Sequence, residues 1–146
     1  MTTNTSNLKT PAGQKLGEGQ GSGVTPTQKP VIIKAGYNAI SKGMIRVVNG
    51  YPIKEELKKR GFKFNYLAGR PSESYWGKDG INTWEEVFAL VLEIINVVRA
   101  TKQPFKLDLS LVEKPLVLSV QDKLRELGLQ QAEGFHGEKS IHIWYG

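Results

Sequence analysis

Between Arg46 and Lys78 the chain interleaves cations with rings. Arg46, Lys54, Lys58, Lys59, Arg60, Lys63, Arg70 and Lys78 alternate with Tyr51, Phe62, Phe64, Tyr66, Tyr75 and Trp76. Ammonium and guanidinium groups neutralise phosphates, and aromatic faces stack on unpaired bases. The combination therefore fits a strand of DNA or RNA that is single or irregular. Lys54, Lys58, Lys59, Arg60, Lys63 and Arg70 are expected on phosphates, and Tyr66, Tyr75 or Trp76 on bases, with Arg46, Asn65 and Lys78 completing the surface. Each residue also has a plainer reading, the lysines as the solvated face of a helix and Phe62, Phe64 and Trp76 as core. What favours recognition is that Arg46, Lys63, Arg70 and Lys78 fall on neighbouring elements of one unit.

Other groups capable of chemistry are sparse. His136 and His142 are the only histidines. With Glu133 or Glu138 they would sit on a terminal hairpin, but no helical HExxH spacing joins them, so exposed hairpin histidines are preferred to a metal site. Glu55-Glu56 and Glu85-Glu86 are neighbours in sequence, and adjacent helical residues do not face each other. There is no nucleophile elbow, and without cysteine no Cys–His pair. The acidic residues scatter over helix surfaces instead of clustering for a metal-dependent nuclease. No catalytic residue, cofactor or metal is expected.

The charge is segregated along the chain. Residues 31–78 hold ten basic residues against three acidic ones, whereas residues 79–146 hold seven against ten, within a net charge of +6. Such asymmetry points to an electrostatic footprint on the first half. Zero cysteines removes disulfides and thiolate zinc sites together. No apolar run is long enough to span a bilayer and no secretory pattern opens the chain, so a cytoplasmic protein with no membrane role is expected.

These side chains must be positioned by a fold of about 115 residues, one domain over 31–146. Residues 1–30 are dominated by Thr, Asn, Ser, Gly, Gln and Pro and read as a disordered tail; its GEGQGSG lacks the Gly-Lys-Ser/Thr ending of a phosphate loop. VIIK and MIRVV read as antiparallel strands joined near Ser41-Lys42-Gly43. A short helix over 52–60 follows, with Ile53 and Leu57 on its buried stripe and Gly61 as its stop. A hairpin then pairs 62–66, with Phe62, Phe64 and Tyr66 on one side and Lys63 and Asn65 on the other, against a return arm near Tyr75-Trp76. The strongest helix covers 83–101, capped by Asn82 or Thr83, with a wide apolar stripe from Val87 to Val98. FKLDLSLV alternates as a half-buried strand, placing Phe105, Leu107, Leu109 and Leu111 together. After an interruption at Pro115, a helix over about 119–127 ends at Gly128, and two arms turn through His136-Gly137-Glu138.

Superposing Leu57 on Leu124 aligns Lys58 with Arg125, Gly61 with Gly128 and Phe62 with Leu129. The fold class expected is therefore α+β: antiparallel sheet from two strand-helix-hairpin units, possible duplicates, packed with one long amphipathic helix. The first unit is basic and the second (104–146) acidic.

The segment YPIKEELKKRGFKFN with Trp76-Gly77-Lys78 resembles a small motif of phage and replication-associated proteins, and is distantly similar to the HARP domains attached to DNA-annealing helicases. The resemblance covers about a quarter of the chain and rests on Lys58, Gly61, Phe62, Phe64, Asn65 and Trp76. Phe64 stands where the motif usually has Trp, and the 70–74 segment lengthens the spacing to Trp76. It implies nucleic-acid association and no reaction. The leading expectation is a small nucleic-acid-binding module. The alternative is a protein–protein adaptor, in which the acidic second unit or a C-terminal edge strand docks a protein partner. A metal-dependent enzyme using the histidines ranks third.

Overall fold

The computed structural model describes residues 29–146, so all but the last two residues of the expected tail lie outside the described residues. The strands are β1 (Val31–Asn38), β2 (Lys42–Val48), β3 (Lys63–Asn65), β4 (Tyr75–Ile81), β5 (Phe105–Val112), β6 (Gln130–Glu133) and β7 (Lys139–Tyr145). The helices are α1 (Lys54–Lys59), preceded by a 3-10 turn at Tyr51–Ile53, α2 (Trp84–Ala100) and α3 (Lys114–Glu126). The strands form a single sheet in the order β3-β4-β2-β1-β5-β7-β6, antiparallel at every pairing except β1 with β5.

This is the α+β class expected, and the two strand-helix-hairpin units are repeated in it. In the first, β2 leads through α1 to the β3–β4 hairpin; in the second, β5 leads through α3 to β6–β7. Each leading strand pairs antiparallel with the return arm of its own hairpin, and β3 and β6 lie at the two edges. Because β2 runs against β1 and β5 runs along it, the units are related as by a two-fold axis through β1, normal to the sheet.

The aligned residues occupy matching places. Gly61 and Gly128 have φ of 85° and 84°, the left-handed conformation that glycine adopts without a Cβ clash. Each closes the same helix stop: Gly61 N–H donates to Lys58 O and Phe62 N–H to Leu57 O, as Gly128 N–H does to Arg125 O and Leu129 N–H to Leu124 O. Leu57, Phe62, Leu124 and Leu129 are all buried, so an apolar contact can accompany each stop.

All three helices cover one face of the sheet. Of the two candidate caps of α2, Thr83 serves, and it forms a capping box: Thr83 Oγ1 accepts from Glu86 N–H and the Glu86 carboxylate accepts from Thr83 N–H. Trp84, Val87, Val91, Ile94, Ile95 and Val98 are buried and pack it over β1 and β2. Ile33, Ile45, Val47, Leu107 and Trp144 face the helices at 0% exposure. The opposite face, carrying Ile32, Lys34, Met44, Arg46 and Val48, has no layer upon it among the described residues.

Four sequence expectations need correcting. Leu111 does not share the face of Phe105, Leu107 and Leu109. A bulge separates the Lys34–Asp108 and Gly36–Leu111 pairs, held by the Asp108 carboxylate, which accepts from the Ser110 N–H and hydroxyl. It turns Leu111 outward at 61% exposure and Val112 inward. Pro115 does not interrupt the second unit, because it sits in the first turn of α3, where its missing N–H costs nothing. Phe64, for which a core position was one reading, is half exposed, at 52%, whereas Phe62 just before β3 is buried. Finally, the edge strand of the second unit is β6, with the terminal β7 enclosed between β5 and β6.

Candidate functional site

The sheet pleat divides the expected site residues between two faces. Directly paired residues of antiparallel strands share a face. Trp76 pairs with Val47 and Phe64, and so lies on the helix side; Tyr75 pairs with Val48 and Asn65, and Lys63 with Gly77, on the open side.

On the helix side a cleft of about 430 Å³ opens beside α1, lined by Asn49, Gly50, Tyr51, Lys54, Lys58, Phe64, Pro71, Ser72, Ser74 and Trp76. Phe64 and Trp76 stack at a tilt, with ring centroids 5.2 Å apart. Lys54 Nζ stands 4.0 Å over the Tyr51 ring and Lys58 Nζ 5.9 Å over Trp76. Tyr51 is 72% exposed, and Trp76 is half-buried. The Asn49 backbone, at φ 62°, makes the turn that sends the chain from β2 into α1 and brings these groups to the end of the sheet.

On the open face a second cleft, of about 440 Å³, is lined by residues that include Lys34, Arg46, Val48, Arg70 and Tyr75. The Arg46 guanidinium lies 4.7 Å from the centre of the Tyr75 ring. Gly77 makes room for that ring, because a Cβ there would stand 2.9 Å from Tyr75 Cε2. Asn65 Nδ2 donates to Lys63 O of its own strand at 3.0 Å. Arg70 is paired with Glu73 at 3.2 Å, with both side chains mostly exposed. Asn49 and Ser72 line both clefts, which therefore adjoin around the end of β2.

Not every expected residue joins this surface. Arg60 is engaged between helices: its Nη1 donates to Glu56 O and Oε1, and its Nε to Glu93 Oε1 on α2. Its guanidinium is held above its ordinary pKa, first by the Glu56 hydrogen bond and then by Glu93. The Glu56 carboxyl is correspondingly held below the ordinary glutamate value, by Arg60 first and then Lys59. Lys59 pairs with Glu56 at 3.1 Å and lines neither cleft. Lys78 Nζ donates to Arg60 O at 2.8 Å, a cation capping the carboxyl end of α1. Lys63, Asn65 and Tyr66 are exposed but line neither cleft.

Tyr51, Phe64, Lys34, Asn49 and Ser72 line the clefts without having been singled out as binding residues. Lys34 was legible from the alternation of Val31, Ile33 and Ala35 around it. Ser72 had no signal, since only the fold of the 66–74 connection places it.

The second unit repeats one feature with the opposite outcome. Arg125 lies 5.9 Å over Trp144, matching Lys58 over Trp76, but Trp144 is fully buried and its indole N–H donates to Ile141 O. Among the described residues no group of three His, Cys, Asp or Glu side chains could hold a metal ion, and no helix is long and apolar enough to cross a membrane. Comparison with family models, with curated proteins and with solved structures returns no match for this chain.

Proposed function

We propose that the first unit binds single-stranded or irregular nucleic acid across these two clefts, and that it does so without catalysing a reaction. The observation that carries this reading is the pairing of Lys54, Lys58 and Arg46 with Tyr51, Trp76 and Tyr75, rings that all keep exposed surface. A cation held over a ring presents a phosphate ligand and a stacking platform at one point, the two groups that sequence-tolerant strand binding uses. The ion pairs Lys58–Glu55 and Arg70–Glu73 are solvent-exposed, so exchanging them for phosphate costs little. The resemblance of residues 51–78 to the replication-associated motif points the same way. The phosphate ligands of this reading are Lys54, Lys58, Arg46 and Arg70, assisted by Lys34, and its stacking rings are Tyr51, Phe64, Trp76 and Tyr75. Arg60 and Lys78 serve the fold, and Lys59 stands in an exposed pair outside both clefts.

Tryptophan emission tests it. Trp84 and Trp144 are buried, which leaves Trp76 as the half-exposed reporter. Titration with a short oligonucleotide at low salt is expected to quench part of the emission, and Trp76→Phe is expected to remove that quench. No quench and no change in anisotropy with either DNA or RNA would end the proposal. A partner protein retained after nuclease treatment would favour the adaptor instead.

A further inference from the structure

Resting on that reading, we infer that the bound strand is not confined to one face: it passes around the end of β2, from the Phe64–Trp76 cleft on the helix side to the Arg46–Tyr75 platform on the open side. The register forces the separation, because Tyr75 and Trp76 are consecutive residues of β4 and therefore point to opposite faces. Yet the clefts they line meet at Asn49 and Ser72. Both residues carry unused polar groups at that junction. Asn49 Nδ2 donates to Pro30 O at 2.9 Å, which leaves its Oδ1 free, and the Ser72 hydroxyl has no partner among the described residues. A free carbonyl oxygen and a free hydroxyl between two cationic platforms suit the sugar and base edges of a chain in transit.

The path selects its ligand mechanically. Duplex DNA resists bending over lengths near 150 base pairs, so it cannot turn around the rim of a single sheet. A single strand can. Reaching both platforms takes at least one nucleotide on each, with further nucleotides rounding the rim between them. A dinucleotide would then occupy one platform only, whereas a decanucleotide would reach both.

The experiment measures binding of the full chain to a dinucleotide, a decanucleotide and a duplex decamer, each as oligo-deoxythymidine or oligouridine (the duplex with its complement), by anisotropy and Trp76 quenching. It compares the natural protein with Lys58→Ala and Arg46→Ala, both at exposed positions. Lys58→Ala is expected to weaken binding of both single strands. Arg46→Ala is expected to weaken the decanucleotide by about tenfold, a loss of the size expected for one stacking site, and to leave unchanged the dinucleotide concentration that half-quenches Trp76, which lies on the other platform. The inference is overturned if Arg46→Ala weakens the Trp76 quench by dinucleotide and decanucleotide alike, if it leaves the decanucleotide unaffected, or if the duplex binds as tightly as the single strand. Those outcomes leave nucleic-acid binding itself standing. Absence of binding by every oligonucleotide would remove both proposals.

Discussion

Ten basic residues lie between 31 and 78, and geometry separates those that face solvent beside a ring from those that hold the fold. Lys54 and Lys58 belong to the first group and Lys59, one residue further along α1, does not. The double variant Lys54→Ala/Lys58→Ala is therefore expected to reduce affinity for a single strand at least about tenfold and to lower the salt slope by about 1.4, at ~0.7 per phosphate contact. Lys59→Ala should change affinity less than about twofold, as expected for a cation in an exposed pair away from both clefts. Equal losses in the two variants, measured by anisotropy, would mean that overall charge and not placement governs binding. Gly77→Ala probes the open face in the same way. The added methyl would displace the Tyr75 ring from beneath Arg46, so single-strand affinity should fall while the circular dichroism spectrum is kept.

At the scale of elements, stability is concentrated where backbone ends are satisfied. The capping box at Thr83 closes two N–H groups at the start of α2, whose buried face is the centre of the core. Thr83→Ala is expected to cost about 1 kcal/mol of unfolding free energy in a urea titration. A smaller, pH-dependent contribution comes from the join of α1 to α2 through Arg60. Because Glu56 has its folded pKa lowered by Arg60, its stabilisation is fully present above the unfolded glutamate value and is lost as pH falls through the lowered one. In a series of melting curves, Glu56→Gln should therefore lie below the natural protein at neutral pH and converge with it in acid. A gap that persists unchanged at the acid end would show that Glu56 acts through something other than its charge.

Much of this level was legible in the sequence. Thr83, Gly61 and Gly128 announce their helix ends because capping is a local interaction between residues a few positions apart. Leu111 and Phe64 were misplaced because their burial is decided by partners distant in the chain. The Ser110 bulge depends on pairing with β1, and the place of Phe64 depends on its pairing with Trp76 across the sheet edge.

In the whole molecule, two similar units flank β1 and differ in what they leave open. The first keeps Trp76 half exposed under Lys58; the second buries Trp144 under Arg125 and carries Gln131 where the first has Phe64. With the basic residues gathered in the first unit, the repeat gives one scaffold with one charged end. Sequence reading reached the repeat, through Leu57 and Leu124, and the charge asymmetry. It did not reach the division of the cations between two faces, which the pairing of Arg46 with Gly77 and of Val47 with Trp76 settles.

The most direct test of this account is the salt dependence of single-strand affinity. If four or five phosphates meet the Lys34, Arg46, Lys54, Lys58 and Arg70 set, log K should fall with log salt at a slope of about −3 to −3.5. That is a loss of about a hundredfold between about 50 and 200 mM salt. Affinity independent of salt, or no binding at the lower concentration, would contradict it.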